Sequence, residues 1–136
     1  MNNKSLIASL ALVLSVFSPS SKAISTGEEL YTKCKSVFIP KSELTEPMQI
    51  VGLSRCIGYV SGYADASVIY EHLLNGNTAT NINYHPFACG LEKVDKVELV
   101  KDVVRYMDQK PSTIEKHPSL IMMTVLGVNY PCVKSN

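Results

Sequence analysis

The stretch CIGYVSGYADASVIYEHLL, residues 56–74, places Gly58, Gly62, Ser61 and Ser67 inside what its surroundings read as one continuous helix. Each glycine costs a helix interior roughly 1 kcal/mol relative to alanine, so a pair four residues apart is tolerated best where a neighbouring backbone comes close. At 100° per residue, Ile50, Leu53, Ile57, Val60, Ala64 and Val68 form one stripe, the expected core face. Gly58, Gly62 and Asp65 line up beside it as a groove expected to receive another helix, while Tyr59, Tyr63 and Tyr70 fall on roughly the opposite face. A helix with apolar or aromatic groups on both sides is either central in its own domain or shared with a partner, and the central placement is the simpler reading. A helix of this kind needs other helices around it.

The rest of the chain supplies them. Thr26 or Ser25 caps a short helix over about residues 26–36, with Glu28 and Glu29 placed favourably for the helix dipole. Pro40 and Pro47 mark a connector, and the long helix spans about residues 48–74 before stopping at Asn75, Gly76 and Asn77. Asp95 followed by Glu98 is a capping-box pattern, after which Val97, Val100, Val104 and Met107 recur at helical spacing until Pro111. Pro118 suits the first position of a last helix, whose run LIMMTVLGV ends before Pro131. The strand signal is weak throughout. The expected fold is therefore all-α, a small disulfide-bonded bundle of about four helices. Residues 75–88, NGNTATNINYHPFA, lack periodicity and form the one long loop.

Residues 1–23 read as a secretory signal peptide, with Lys4, an apolar stretch from Leu6 to Phe17, and a small-x-small cleavage site at Ser21–Lys22–Ala23. That apolar stretch falls short of the roughly 20 residues that span a bilayer, so no membrane association is expected after cleavage. Residues 24–136 then form a single helical domain with one core. The whole chain carries 13 Lys and Arg against 12 Asp and Glu, and Lys4 and Lys22 lie in the leader. The near balance gives no case for nucleic acid or anionic lipid.

Export implies an oxidising compartment, and all four cysteines lie beyond the leader. If the first two helices are antiparallel, Cys34 and Cys56 meet at one end of the pair. If the last two are antiparallel, Cys89 and Cys132 meet likewise. This pairing is preferred among the three possible.

Nothing in the chain assembles a catalyst. Four cysteines taken up in disulfides leave no thiolate nucleophile, and His72, His85 and His117 are too scattered for a zinc pattern. No nucleophile elbow, phosphate loop or HExxH is present. Asp65 is the most suggestive carboxylate, and its simplest role is structural, beside the glycine groove. The charges of the third helix, Lys93 to Asp108, read as a solvated face. No cofactor and no metal are expected.

Several elements together resemble the Rap/Tai family of immunity proteins. They are the leader, Cys34, CIGYVSGYADA at residues 56–66, Cys89, VELVKDVVRYMDQKP at residues 97–111, and YPC at residues 130–132. The resemblance covers nearly all of the chain beyond the leader. It implies an all-α fold with intrachain disulfides, dimerisation, and periplasmic protection against a peptidoglycan amidase toxin delivered by type VI secretion, whose active-site cleft is blocked without catalysis. A cleft needs a protruding inhibitor, so the residue 75–88 loop is the expected contact. Tyr84, His85 and Phe87 would be its aromatic anchors, and Asn77, Asn81 and Asn83 would hydrogen-bond around them. The alternatives are an acid-stress chaperone of the Hde type and an exported hydrolase using Asp65 with a histidine.

Overall fold

The computed structural model describes residues 23–76 and 87–132, over which the chain forms four α-helices linked by short 3-10 turns. Helix α1 covers Gly27–Cys34, α2 Pro47–Gly76, α3 Lys96–Gln109 and α4 Pro118–Asn129. Turns at Lys35–Phe38, Leu91–Lys93 and Pro111–Glu115 connect or precede them. Among the described residues there is no strand. The all-α bundle read from the sequence is the fold of the protein.

The helix starts are set by local chemistry. Thr26 Oγ1 accepts from the Glu29 amide at 3.1 Å, while the Glu29 carboxylate turns back to accept from the Ser25 amide at 3.0 Å. Asp95 accepts from the amides of Val97 and Glu98 at 2.8 and 3.2 Å. His117 caps α4 through Nδ1, which accepts from the Ser119 amide at 3.3 Å, with Pro118 at the first helical position.

Helix α3 is the hub, packing against α1, α2 and α4. Its Leu99, Val100, Val103, Val104 and Met107 are buried with Leu30 of α1, Val60 and Ala64 of α2, and Ile121, Met122, Val125 and Leu126 of α4. Val97, assigned to that stripe by spacing, is instead partly exposed because it lies in the first turn, short of the packed region. Both disulfides pair as expected, Cys34 with Cys56 and Cys89 with Cys132, with Cα atoms 5.2 and 5.0 Å apart.

Helix α2 corrects the sequence reading in three ways. Its buried face runs through Cys56, Val60, Ala64 and Ser67, rotated from the expected stripe, so that Ile50 is exposed and Leu53, Ile57 and Val68 are half-buried. The disulfide at Cys56 sets this rotation, because the cysteine must face α1. Tyr59 and Tyr63 consequently lean inward: the Tyr63 hydroxyl donates to the Ser119 carbonyl at 3.1 Å, and the Tyr59 hydroxyl lies 3.4 Å from Ser119 Oγ. Tyr70 stays exposed. Most consequentially, Gly58 and Gly62 face solvent, and a Cβ at either would meet nothing within 4 Å. No described helix of the chain occupies the glycine groove. Buried Ser67 is accommodated differently, its hydroxyl donating to the Tyr63 carbonyl one turn back at 2.8 Å.

A glycine that the periodicity did not single out is under the tightest steric constraint among the described residues. At Gly27 a Cβ would lie 2.5 Å from the Ile114 carbonyl oxygen and 2.7 Å from that of Lys116. The start of α1 is thereby pressed onto the turn that precedes α4, and the Gly27 amide donates to the Lys116 carbonyl at 3.1 Å.

Candidate partner-binding surface

Three surfaces of the bundle have features that its own packing does not use. The outer face of α2 is the longest. Met48, Val51, Ile69 and Leu73 are exposed along it, Leu73 by 64%, with Gly58 and Gly62 between them. An α-helix of 30 residues spans about 45 Å, so this face runs the length of the bundle. Asp65 lies on it, ion-paired with Lys96 of α3. The carboxylate therefore ties α2 to α3 and does not sit against a packed helix. His72 is seven residues along α2, about 10 Å of helix rise from Asp65, too far for a hydrogen-bonded acid–base pair. Among the described residues no group of three or more His, Cys, Asp or Glu is placed to hold a metal.

A second surface is the root of the long segment after α2. Residues 77–86 lie outside the described residues, and with them Asn77, Asn81, Asn83, Tyr84 and His85. Phe87, the sixth expected contact, is half-buried, its ring tilted against Tyr63 with centroids 6.1 Å apart. It is thus part of the hydrophobic anchoring of the chain that follows residue 86. Three further contacts fix that point: the Cys89–Cys132 disulfide, the Cys89 amide donating to the Tyr130 carbonyl at 2.9 Å, and the Gly90 amide donating to Glu71 of α2 at 3.3 Å. Gly90 has φ 71°, a left-handed conformation that favours glycine. Nearby, α4 exposes Leu120, Met123 and Val128.

The third surface is a cleft of about 320 Å³ between the last turn of α1 and the first turns of α2, whose lining includes Lys33, Lys35, Met48, Val51, Gly52 and Arg55. Sequence reasoning missed it, because its residues come from two elements and Lys33, Lys35 and Arg55 form no run. Lys33 pairs with Glu29 at 2.7 Å. That hydrogen-bonded pairing, with the Ser25 amide, lowers the Glu29 carboxyl to about 2.

The charged face of α3 is more than solvated surface. Asp102 accepts from the Tyr130 hydroxyl at 2.7 Å and pairs with Arg105 at 3.0 Å, while Asp108 accepts from the Tyr31 hydroxyl at 2.7 Å. The Tyr130 phenol is pushed well above its ordinary value, first by burial and then by Asp102. These bonds tie α1 and the C-terminal cap of α4 to α3 and leave both carboxylates occupied in structure.

No protein of curated function matches the chain. A family model described as Rap1a immunity proteins matches residues 26–132, from the cap of α1 through the last cysteine, and so takes in every helix and both disulfides described above. Over that span the chain belongs to the Rap1a immunity protein family.

Proposed function

We propose that the protein is a periplasmic immunity protein that binds a peptidoglycan amidase toxin delivered by type VI secretion and occludes its active-site cleft. The observation that carries this reading is the family match across the whole helical domain. The two disulfides and the apolar leader support export, and no described helix is long and apolar enough to cross a membrane. Protection of this kind is stoichiometric and non-catalytic. Residues 77–86 supply the inhibitory contact, through Tyr84 and His85 with Asn77, Asn81 and Asn83, and Phe87 and Gly90 anchor the chain that follows.

The active form is a homodimer that uses the outer face of α2. Its exposed Ile69 and Leu73, with glycines that let a second backbone approach, would explain apolar surface that the single chain leaves uncovered. The test is direct. The product of an amidase-like reading frame beside this gene should be toxic when sent to the periplasm and lose both its toxicity and its peptidoglycan cleavage on one-to-one addition of this protein. Undiminished cleavage with excess immunity protein present would overturn the reading.

A further inference from the structure

The cleft between α1 and α2 carries three features that together specify a ligand. Lys35 and Arg55 on its rim make no ion pair or side-chain hydrogen bond among the described residues, whereas Lys33 is already held by Glu29. No carboxylate lines the cleft, so the free cations face an open volume without an internal counter-charge. Its walls are apolar: Met48 is 81% exposed and Val51 about half exposed. The third feature is Gly52. A Cβ there would meet only Lys33 atoms, at 3.8–4.0 Å, which is ordinary contact. Alanine would fit and favour the helix by roughly 1 kcal/mol, so no intrachain contact demands the glycine, whose effect is to leave the floor of the cleft open.

We propose that this cleft docks a protruding acidic and apolar segment of the toxin, with one carboxylate between Lys35 and Arg55 and the adjacent aliphatic side chain over Gly52. The identity of the partner rests on the immunity reading; the chemistry of the ligand rests on the cleft. Its volume of about 320 Å³ is at the small end of binding pockets and accommodates a loop tip of one or two side chains. Arginine forms paired hydrogen bonds to a carboxylate, and lysine adds a mobile point charge, a combination that favours an anion with two exposed oxygens. A flat bilayer surface does not enter a recess of this shape.

The test titrates the isotope-labelled, disulfide-bonded protein with the blocked peptide acetyl-Gly-Leu-Glu-Gly-amide and with its glutamine counterpart. The glutamate peptide should shift the amide resonances of Lys33, Gly52 and Arg55. Its affinity should fall severalfold as salt rises from about 0.05 to about 0.5 M. The double variant Lys35→Glu/Arg55→Glu should lose about tenfold in affinity, consistent with two exposed charge contacts. Gly52→Leu, which fills the floor, should abolish binding, and the charge variant serves as the independent check if Gly52→Leu does not fold. Equal shifts with both peptides, no shifts at millimolar peptide, or binding to phosphatidylglycerol vesicles in place of the peptide would each overturn the assignment. A second arm uses the purified toxin. Toxin bound equally by wild type and the charge variant overturns the docking role while leaving immunity intact, and toxin bound by neither overturns the immunity reading while the peptide titration still decides the cleft.

Discussion

A Cβ at Gly27 would lie 2.5 Å from one carbonyl oxygen and 2.7 Å from another, both in backbone that cannot swing aside. Gly27→Ala should therefore cost about 2–3 kcal/mol in chemical denaturation under non-reducing conditions, although alanine is the better helix former. An unchanged midpoint would show that the contact between α1 and the turn before α4 relaxes freely. The helix-capping residues were legible in the sequence, since Thr26, Glu29 and Asp95 act on amides two to four positions away. Gly27 itself was not, because its constraint comes from residues 114 and 116, distant in the chain. The titrating groups give a prediction with a definite sign. The Glu29 carboxyl is lowered in the fold from 4.5 to about 2, chiefly by Lys33 and then the Ser25 amide. Its contribution to stability is thus fully present above pH 4.5 and is lost as the pH falls toward 2. Glu29→Gln should flatten the stability profile across that interval, and a variant with the wild-type slope would remove Glu29 as its source. At the alkaline end Tyr31, Tyr63 and Tyr130 are all raised above 10.0, by Asp108, by burial, and by burial with Asp102 respectively. Their neutral forms favour the fold below pH 10.0, and this support disappears as the pH rises through their folded values, so phenolate absorbance from these three should appear late.

At the scale of the helices, α2 shows where periodicity stops being sufficient. A helix apolar nearly all round has no single direction along which its hydrophobic stripe must point. Its rotation is set by the Cys34–Cys56 bond and by the hydroxyls of Tyr59 and Tyr63 against Ser119, none of which a spacing count weighs. Helix α3 was easier to read because its polar and apolar residues separate cleanly, leaving only Val97 misplaced. The open glycines of α2 supply a discriminating experiment. With nothing within 4 Å of either Cβ position, Gly58→Ala and Gly62→Ala should each stabilise the isolated chain by about 0.5–1 kcal/mol. If this face joins two copies closely, bulkier changes such as Gly58→Leu with Gly62→Leu should leave the melting of the helices largely intact yet convert the dimer to monomer in light scattering. A dimer that survives both leucines would place the interface elsewhere, with the exposed Leu120, Met123 and Val128 of α4 as the next surface to change.

For the whole molecule, the disulfides connect stability with the proposed inhibition. The Cys89–Cys132 bond closes a sequence separation of 43 residues, and on the chain-entropy model a loop of that size contributes about 4 kcal/mol, a large share of what a small domain has. It also sits directly after the segment proposed to enter the toxin, where Phe87 packs on Tyr63 and the Gly90 amide reaches Glu71. The pairing was legible because antiparallel helices bring their ends together; the anchoring of the segment was not, since it depends on single contacts of Phe87 and Gly90 with a distant part of α2. Two kinds of variant should therefore behave differently. Replacing Cys89 and Cys132 with serine should lower stability by a few kcal/mol and weaken toxin inhibition at temperatures where the fold still holds, because the segment's exit is no longer fixed. Tyr84→Ala with His85→Ala should leave the denaturation midpoint unchanged and raise the inhibition constant by at least about 30-fold, the loss of roughly 2 kcal/mol expected when aromatic anchors of an interface are truncated. Measuring inhibition and unfolding on the same preparations separates the two effects. If the Tyr84/His85 variant inhibits the amidase as well as wild type, residues 77–86 are not the inhibitory contact, and occlusion must come from a rigid face of the bundle.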